Sequence, residues 1–210
     1  SSVEDLKLPK GLRFMRDNIL AIALTMSIIY IIVAIAAGSE YIEKELLPED
    51  IYVKKVEKVP DNFHARFDAI GKEYVYIINM GEYNPLERHY VYQHCKKLDV
   101  IEMERALKYF EGTHNYKSFT KTDEEKDDYV RTISQTSLVR DSKDINKIYL
   151  TFVGTGFLRY MVRNIVGLLI EVGEGKRKSE EVISILKAED RTKAGKTANP
   201  EGLYLKNVFY

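Results

Sequence analysis

The longest apolar stretch of the chain lies close to its first residues. Positions 18–39 carry no charged side chain, and Ile, Ala, Leu and Val dominate them. A run of this length is typical of a helix that crosses a bilayer, which needs about 20 apolar residues. Basic side chains precede the run and acidic ones follow it, so the positive-inside rule would place the N-terminus in the cytoplasm.

Two other interpretations of this apolar run stay open. Its many Ala residues, with Thr25, Ser27 and Tyr30, also favour a helix buried in a protein core or a dimer interface. Alternatively, a gene fusion or a reading-frame error joined this segment to the rest. A signal peptide fits less well, because its apolar core is normally about 7–15 residues long. We therefore predict a separate segment at 1–39, with an apolar helix at 18–39, and a second domain at 40–210.

After Ser39 the pattern becomes that of a folded domain with both strands and helices. Alternating and β-branched positions predict five strands, at 51–59, 74–80, 131–139, 148–153 and 203–210. Apolar positions at helical spacing predict three helices, at 102–111 (closed by Gly112), 157–173 and 179–187 (capped by Ser179). The polar turn at 141–144 predicts an antiparallel hairpin. The predicted fold class is α+β, an antiparallel sheet with helices packed on one face.

Composition and charge exclude few functions. Lys and Arg number 32, as do Asp and Glu, so net charge gives no support for a nucleic-acid partner. The one cysteine, Cys95, and 4 histidines do not have the spacing of a zinc site, so no structural metal is predicted. Adjacent residues on a strand point to opposite faces. Cys95 beside His94 is therefore predicted to be a buried or chemically inert thiol rather than a nucleophile.

Four stretches carry a more specific signal. They are 47–51 with 63–69 and 72–76; 112–119 leading to 131–133; 156–167 with 172–173; and 197–205. In order and spacing, these stretches resemble the TruA-type tRNA pseudouridine synthases over about residues 46–210. The resemblance implies a pseudouridine synthase-like fold, a homodimer in the cytoplasm, and a reaction without metal or organic cofactor. The implied reaction isomerises uridine to pseudouridine in the tRNA anticodon stem-loop, at positions 38–40 in the family.

The resemblance also implies a departure from the family at the N-terminus. Full-length members carry a Tyr-Asp-Gly turn and a Gly-Arg-Thr-Asp-x-Gly-Val-His loop, and the aspartate of that loop is essential. Residues 1–39 offer only Asp5 and Asp17, neither of them in a matching context. No catalytic aspartate is therefore assigned, and we expect the chain to be inactive by itself.

The family pattern assigns roles to several residues of this chain. Tyr74 matches the tyrosine that packs on the target base, and Arg163 matches the arginine that pairs with the catalytic aspartate. Phe157 and Leu158 are expected to line the pocket for the flipped base. Without the resemblance, Tyr74 would be a half-buried strand tyrosine, and Arg163 would reach the surface or find a carboxylate or phosphate partner.

Basic residues in or beside the family stretches are the candidate RNA contacts. They are Arg66 (predicted at strand spacing), Lys72, Lys121 and Arg131. Such side chains could neutralise phosphates and make binding dependent on salt, although each could equally be a solvated surface charge. His64 and His114 are expected to be structural hydrogen-bonding residues. A different class of function also stays open: a membrane-anchored, non-catalytic RNA-binding or interaction protein.

Overall fold

A computed structural model describes residues 48, 51–121 and 128–210. The chain divides into two compact units, Ser1–Phe63 and His64–Tyr210. The predicted apolar helix at 18–39 and the predicted domain boundary after residue 39 lie outside the described residues. Within the described ranges, no helix is both long and apolar enough to cross a membrane.

The described part of the first unit contradicts one predicted strand. Residues 51–60 form neither helix nor strand. Their described backbone hydrogen bonds are local turn bonds, such as the one from Ile51 N to Pro48 O at 2.9 Å. The side chain of Tyr52 is 85% exposed. β-branched content makes a strand only where a partner strand and an apolar surface are available, and no partner for this segment occurs among the described residues.

The second unit is built on one six-stranded sheet. Its strands are β1 (Gly71–Asn79), β2 (Tyr92–Gln93), β3 (Gly112–Asn115), β4 (Val130–Arg140), β5 (Lys147–Gly154) and β6 (Leu203–Phe209). The order is β2-β1-β5-β4-β3, and β6 pairs with β1. All pairs are antiparallel except the short β1–β2 pair, which is parallel. The antiparallel sheet and the β4–β5 hairpin are confirmed, while β2 and β3 had not been predicted.

Three α-helices cover one face of this sheet. They are α1 (Val100–Lys108), α2 (Met161–Gly173) and α3 (Glu181–Ala188). Asp99 caps α1 by accepting hydrogen bonds from the backbone of Ile101 and Glu102, which is why this helix begins two residues before its predicted start. Sheet and helices share one buried apolar cluster, which includes Tyr76, Ile78, Leu150, Phe152, Met103, Leu107, Ile165 and Leu169. The predicted α+β class with helices on one face is confirmed.

Two predicted helix starts were wrong. Helix α2 begins at Met161 rather than at 157, because Tyr160 has a left-handed backbone (φ 61°) that ends any preceding helical turn. Helix α3 begins at Glu181, and Ser179 does not cap it. The buried Ser179 hydroxyl instead donates to Glu102 Oε2 at 2.9 Å, which ties the start of α3 to α1.

A buried histidine lies beside the end of α2. The side chain of His94 is 6% exposed, and its Nε2 lies 3.8 Å from Glu174 Oε1, beyond hydrogen-bond distance. Among the described residues, this nitrogen has no hydrogen-bond partner. Burial lowers the pKa of His94. The positive charges of Lys96 and Lys176 lower this pKa further, and the negative charge of Glu174 partly opposes the decrease. The folded chain therefore holds this imidazole neutral where an exposed one would already be charged.

Acid should destabilise the fold through His94. Below about pH 6.5 the unfolded chain binds a proton at this histidine, whereas the folded chain, with its lowered pKa, does not until the pH is lower still. The free energy of unfolding should therefore fall as the pH decreases through this window. Urea denaturation at a series of pH values should show a shallower fall in the His94→Gln variant. Identical pH profiles for the two proteins would contradict this account.

Candidate active site

Strand β1 places a row of side chains on the face that carries the helices. Its register with β5 is unbroken from Lys72 to Asn79, so Lys72, Tyr74 and Tyr76 point to the same side. The half-buried ring of Tyr74 meets the ring of Phe157 edge-on, with 5.1 Å between the centroids. Burial raises the pKa of the Tyr74 hydroxyl. The hydroxyl is therefore protonated at neutral pH and can donate a hydrogen bond.

The side chain of Arg163 projects from the first turn of α2 and is only partly buried. Its Nε donates to the carbonyl oxygen of Ala198 at 2.7 Å. Its guanidinium lies over the ring of Tyr160, 5.0 Å from the centroid. Among the described residues, no carboxylate lies within ion-pair distance of it. The carboxylate or phosphate partner expected from the sequence is therefore replaced, in the described part of the chain, by a carbonyl group and an aromatic ring.

Tyr74 and Arg163 share one face of the sheet. The hydroxyl of Tyr76, two residues beyond Tyr74, donates to Asn199 O at 2.6 Å, next to the carbonyl that Arg163 contacts. Burial raises the pKa of Tyr76 and the nearby charge of Arg163 opposes that rise, which also indicates that the two groups are close. Residues 198–199 thus connect the tyrosine row of β1 to the beginning of α2.

A glycine in α2 lets this connecting segment lie against the helix. A Cβ atom at Gly167 would lie 1.8 Å from the carbonyl oxygen of Lys196, so no larger residue fits without moving the backbone. The backbone N–H of Ala198 donates to Arg163 O at 3.0 Å. Close contact between helix and segment fixes the carbonyl that orients the guanidinium.

A pocket of about 560 Å³ opens beside Arg163. Its lining consists of Lys121, Tyr160, Arg163, Asn164, Arg191, Thr192, Gly195 and Thr197. Three of these side chains are cationic, and none of the lining residues is acidic. Neither Tyr74 nor Phe157 belongs to this lining. The structure therefore separates the aromatic pair on β1 from a basic pocket, with Arg163 at the edge of the pocket.

Asn164 holds the wall of the pocket together. Its side chain is 1% exposed. Its Oδ1 accepts hydrogen bonds from Arg191 Nη2 at 3.0 Å and from the Thr197 hydroxyl at 2.6 Å. Its Nδ2 donates to Phe119 O at 2.7 Å. One buried amide thus links α2 to three other segments, and all of its hydrogen-bonding groups but one donor position are used.

The structure disperses the other predicted site residues. Leu158, which directly follows Phe157 in the sequence, is 5% exposed and belongs to the apolar core. Arg131 pairs with Asp128 at 3.2 Å. Lys121 lines the basic pocket, and Lys72 lies on the Tyr74 face of β1. The structure therefore brings Lys121 and Arg163 together, and places Lys72 with Tyr74.

Arg66 was wrongly predicted to lie at strand spacing. It lies in a turn, where its backbone N–H donates to His64 Nδ1 at 3.1 Å. Its guanidinium lies 5.8 Å from the centroid of the Phe67 ring. The His64 ring closes this turn by accepting backbone hydrogen bonds, and His114 Nε2 lies 2.9 Å from Glu111 O. The expectation that both histidines are structural hydrogen-bonding residues is confirmed.

The cysteine prediction needs a correction. Cys95 is exposed, with a left-handed backbone (φ 59°), and it lies two residues after β2 rather than on a strand. The strand argument for opposite faces therefore does not apply to it. Among the described residues, no group of three or more His, Cys, Asp or Glu side chains could hold a metal ion.

Sequence reasoning missed several residues of the pocket wall. Asn164 and Thr197 lie within the stretches that carry the resemblance, but their types alone gave no role. Arg191 follows the end of α3, where an isolated basic residue resembles an ordinary surface charge. Tyr160 gave no signal either, since neither its left-handed backbone nor the position of its ring under the Arg163 guanidinium follows from the sequence pattern. These contacts depend on tertiary geometry that no local pattern encodes.

Comparisons with known proteins agree with this architecture. A family profile described as tRNA pseudouridine synthase matches residues 106–210. The tRNA pseudouridine synthase A of Acetivibrio thermocellus is 42% identical over 171 residues, which are 81% of this chain and 69% of that protein. The chain belongs to the tRNA pseudouridine synthase family. Arg163, Asn164 and the whole basic pocket lie within the part of the chain that the family profile matches.

Other members of the family show how much of their length the chain covers. The tRNA pseudouridine synthase A of Anoxybacillus flavithermus is 46% identical over 165 residues, and tRNA pseudouridine synthase A 2 of Clostridium tetani is also 46% identical over 165. These alignments include 79% and 78% of the chain, but only 66% and 65% of the relatives. The chain thus spans slightly less than two thirds of either relative.

A second profile matches the beginning of the chain. It is described as a PTS system sugar-specific permease component, and its match extends over residues 1–82. The match covers less than half of the chain, and most of it lies outside the described residues. Its last part includes β1, which in the structure belongs to the pseudouridine synthase sheet. The match crosses the predicted boundary after residue 39, so the separate segment at 1–39 stays a prediction.

Proposed function

We propose that this chain binds the anticodon stem-loop of tRNA, on the sheet face that carries Tyr74 and Arg163. The observation that supports this proposal is that the Tyr74–Phe157 ring pair and the Arg163 guanidinium lie on the helix-bearing side of the sheet, and that Arg163 also lines the basic pocket. The family reaction is the isomerisation of uridine to pseudouridine. The family's expected homodimer and cytoplasmic location belong to the same proposal.

The aromatic pair would compensate for the cost of extracting a base. A uridine must leave the helical stack before its glycosidic bond can be reached, at a cost of a few kcal/mol. Stacking of a base on an aromatic ring contributes about 1–3 kcal/mol. The T-shaped contact with Phe157 holds the ring of Tyr74 in place. The core position of Leu158 would place apolar surface beside the base.

Arg163 would hold an anionic group close to that base. Its Nε is used by Ala198, and its terminal nitrogens have no carboxylate partner among the described residues. A guanidinium that is held through Nε can still donate two parallel hydrogen bonds from its terminal nitrogens to a carboxylate or phosphate. We infer that this side chain is a preoriented anion receptor, and that Arg66, Lys72 and Arg131 would contribute only long-range attraction for RNA.

Replacing Tyr74 tests the proposal. The Tyr74→Ala variant should bind an anticodon stem-loop RNA about 5- to 150-fold more weakly, since a stacking contact of about 1–3 kcal/mol is lost. Arg163→Ala should also weaken binding. Dissociation constants from fluorescence anisotropy of a labelled stem-loop measure both effects.

A matched tyrosine on the other side of the sheet provides the control. Tyr149 of β5 pairs with Ile77, so it faces away from Tyr74, and its hydroxyl donates to Asp141 Oδ2 at 2.8 Å. The Tyr149→Ala variant should keep the affinity of the unchanged chain. Equal losses in the two alanine variants, or no loss in either, would refute the proposed binding face.

A second candidate function rests on the permease similarity of residues 1–82 and on the apolar run at 18–39. In this alternative, the apolar run anchors a non-catalytic RNA-binding module to a membrane. Extraction of cell membranes with alkaline carbonate separates the two candidates. A chain that stays with the membranes favours the anchored module, and a chain released entirely into the supernatant rules it out.

A further inference from the structure

Tyr160 adopts a backbone conformation that is unfavourable for a tyrosine. Its φ and ψ angles are 61° and 0°, in the left-handed region, where the Cβ atom of an L-residue crowds the following carbonyl oxygen. Among the non-glycine residues that the structure describes, only Cys95 and Glu189 also have a positive φ. Such a conformation persists only where the surrounding structure holds it, and residues of this kind cluster at functional sites.

Tyr160 lies between the two parts of the candidate active site. Phe157, whose ring meets that of Tyr74, precedes it in a segment without regular secondary structure. Arg163 follows it in the first turn of α2. The carbonyl oxygen of Tyr160 accepts a hydrogen bond from Asn164 N at 2.9 Å and so closes that turn. The left-handed residue is therefore the point at which the helix that carries the guanidinium begins.

The ring of Tyr160 is one of two described contacts of the Arg163 guanidinium. The Cζ atom of Arg163 lies 5.0 Å from the ring centroid, and that of the neighbouring Arg159 lies 5.5 Å from it. The other contact is the hydrogen bond from Arg163 Nε to Ala198 O at 2.7 Å. A single hydrogen bond leaves the guanidinium plane free to tilt. An aromatic face on one side restricts this tilt, because the cation is attracted to the ring.

We propose that Tyr160 is a positioning residue for Arg163: its ring holds the guanidinium in the orientation that receives an anionic group, and its unfavourable backbone is retained for this contact. The inference rests on the proposed function, because this orientation matters only if Arg163 binds such a group beside the base. Tyr160 itself then needs no contact with the RNA. Ordering a side chain in advance reduces the entropy lost on binding, an effect equivalent to a factor of about 2–10 in affinity.

Three substitutions of Tyr160 test the inference. Tyr160→Ala and Tyr160→Gly both remove the ring, and each should bind an anticodon stem-loop RNA about 2- to 10-fold more weakly. The Gly variant should have the higher urea midpoint of the two, because glycine adopts a positive φ without strain. Tyr160→Phe keeps the ring and should keep the affinity. If the Ala variant loses affinity and the Gly variant does not, affinity follows stability rather than the ring, and the inference is wrong.

Cys95 provides a matched control for the backbone. It is exposed, lies outside the candidate site and has nearly the same φ, 59°. Cys95→Gly should likewise have a higher urea midpoint than Cys95→Ala, but neither variant should change the affinity for RNA. A loss in these variants as large as that in the Tyr160 variants would show that a change at any left-handed residue weakens binding, which would overturn the inference.

A double-mutant cycle separates positioning from direct contact with the RNA. If Tyr160 acts through Arg163, Tyr160→Ala should have no further effect on affinity once Arg163 is replaced by alanine. If Tyr160→Ala weakens binding by the same factor in both backgrounds, the tyrosine contacts the RNA itself and the positioning role is refuted.

The NMR signal of the Arg163 Nε–H group separates this inference from the proposed function, because it is measured without RNA. The signal is identified by its loss in Arg163→Lys. The ring current of Tyr160 should shift it, so its position should change in the Ala and Gly variants and stay the same in Tyr160→Phe. An identical position in all variants overturns the inference. A ring-dependent position in a chain that binds no stem-loop would keep Tyr160 as the residue that holds Arg163 and disprove the RNA function.

Discussion

The Asn164→Leu variant is expected to lose about 2–5 kcal/mol of unfolding free energy, because its buried partners are left unsatisfied. The substitution removes the acceptor of Arg191 and of Thr197, and the donor to Phe119 O. Leaving one buried polar group without a partner costs about 1–3 kcal/mol. The leucine fits the apolar surroundings in hydrophobicity but cannot replace any of the three hydrogen bonds.

Urea denaturation followed by circular dichroism measures this loss. The control is Asn146→Leu, at an exposed residue outside the core, where a change within about 0.5 kcal/mol is expected. A stability of Asn164→Leu within the range of the Asn146 control would show that the amide does not support the pocket wall.

The polypeptide of residues 1–210, tested alone, is expected to form no pseudouridine. The family resemblance implies that a carboxylate is needed to break the C–N glycosidic bond, and residues 1–39 contain no match to the loop expected to carry it. Among the described residues, no acidic side chain is paired with Arg163. Enzymes accelerate reactions by about a million-fold or more, so loss of the essential group should abolish measurable turnover.

Digestion of the tRNA to nucleosides and mass spectrometry quantify the product. Purified chain should give the same pseudouridine content as tRNA incubated without protein, while the Anoxybacillus flavithermus relative serves as the positive control. Pseudouridine that forms with the unchanged chain but not with Arg163→Ala would show that another carboxylate occupies the position opposite this arginine. The inactivity proposal would then be wrong.

Much of the second unit followed from local patterns. The alternation in β1, the polar turn between β4 and β5 and the apolar surface of α2 predicted these elements to within a few residues. Their patterns were strong because each is buried on at least one face. The segment at 51–59 has β-branched residues, but the described part of the chain offers it no partner strand. Residue types alone therefore did not produce a strand there.

The candidate site was predictable only where the resemblance reached single residues. Tyr74 and Arg163 were identified by their sequence context, and strand alternation then places Tyr74 on the helix-bearing face. Arg191 was missed because its role depends on a loop that returns to α2 over Gly167. A close backbone approach leaves no periodic signal in a sequence. The pocket wall therefore had to be read from tertiary contacts.

Photochemical crosslinking tests the central claim most directly. An anticodon stem-loop RNA with 5-iodouridine at the family's target position is irradiated with the chain, and the crosslinked peptide is identified by mass spectrometry. The account predicts a crosslink at Tyr74 or Phe157, which form the ring pair on the helix-bearing face. A crosslink confined to the opposite face of the sheet, for example at Tyr149, would contradict it.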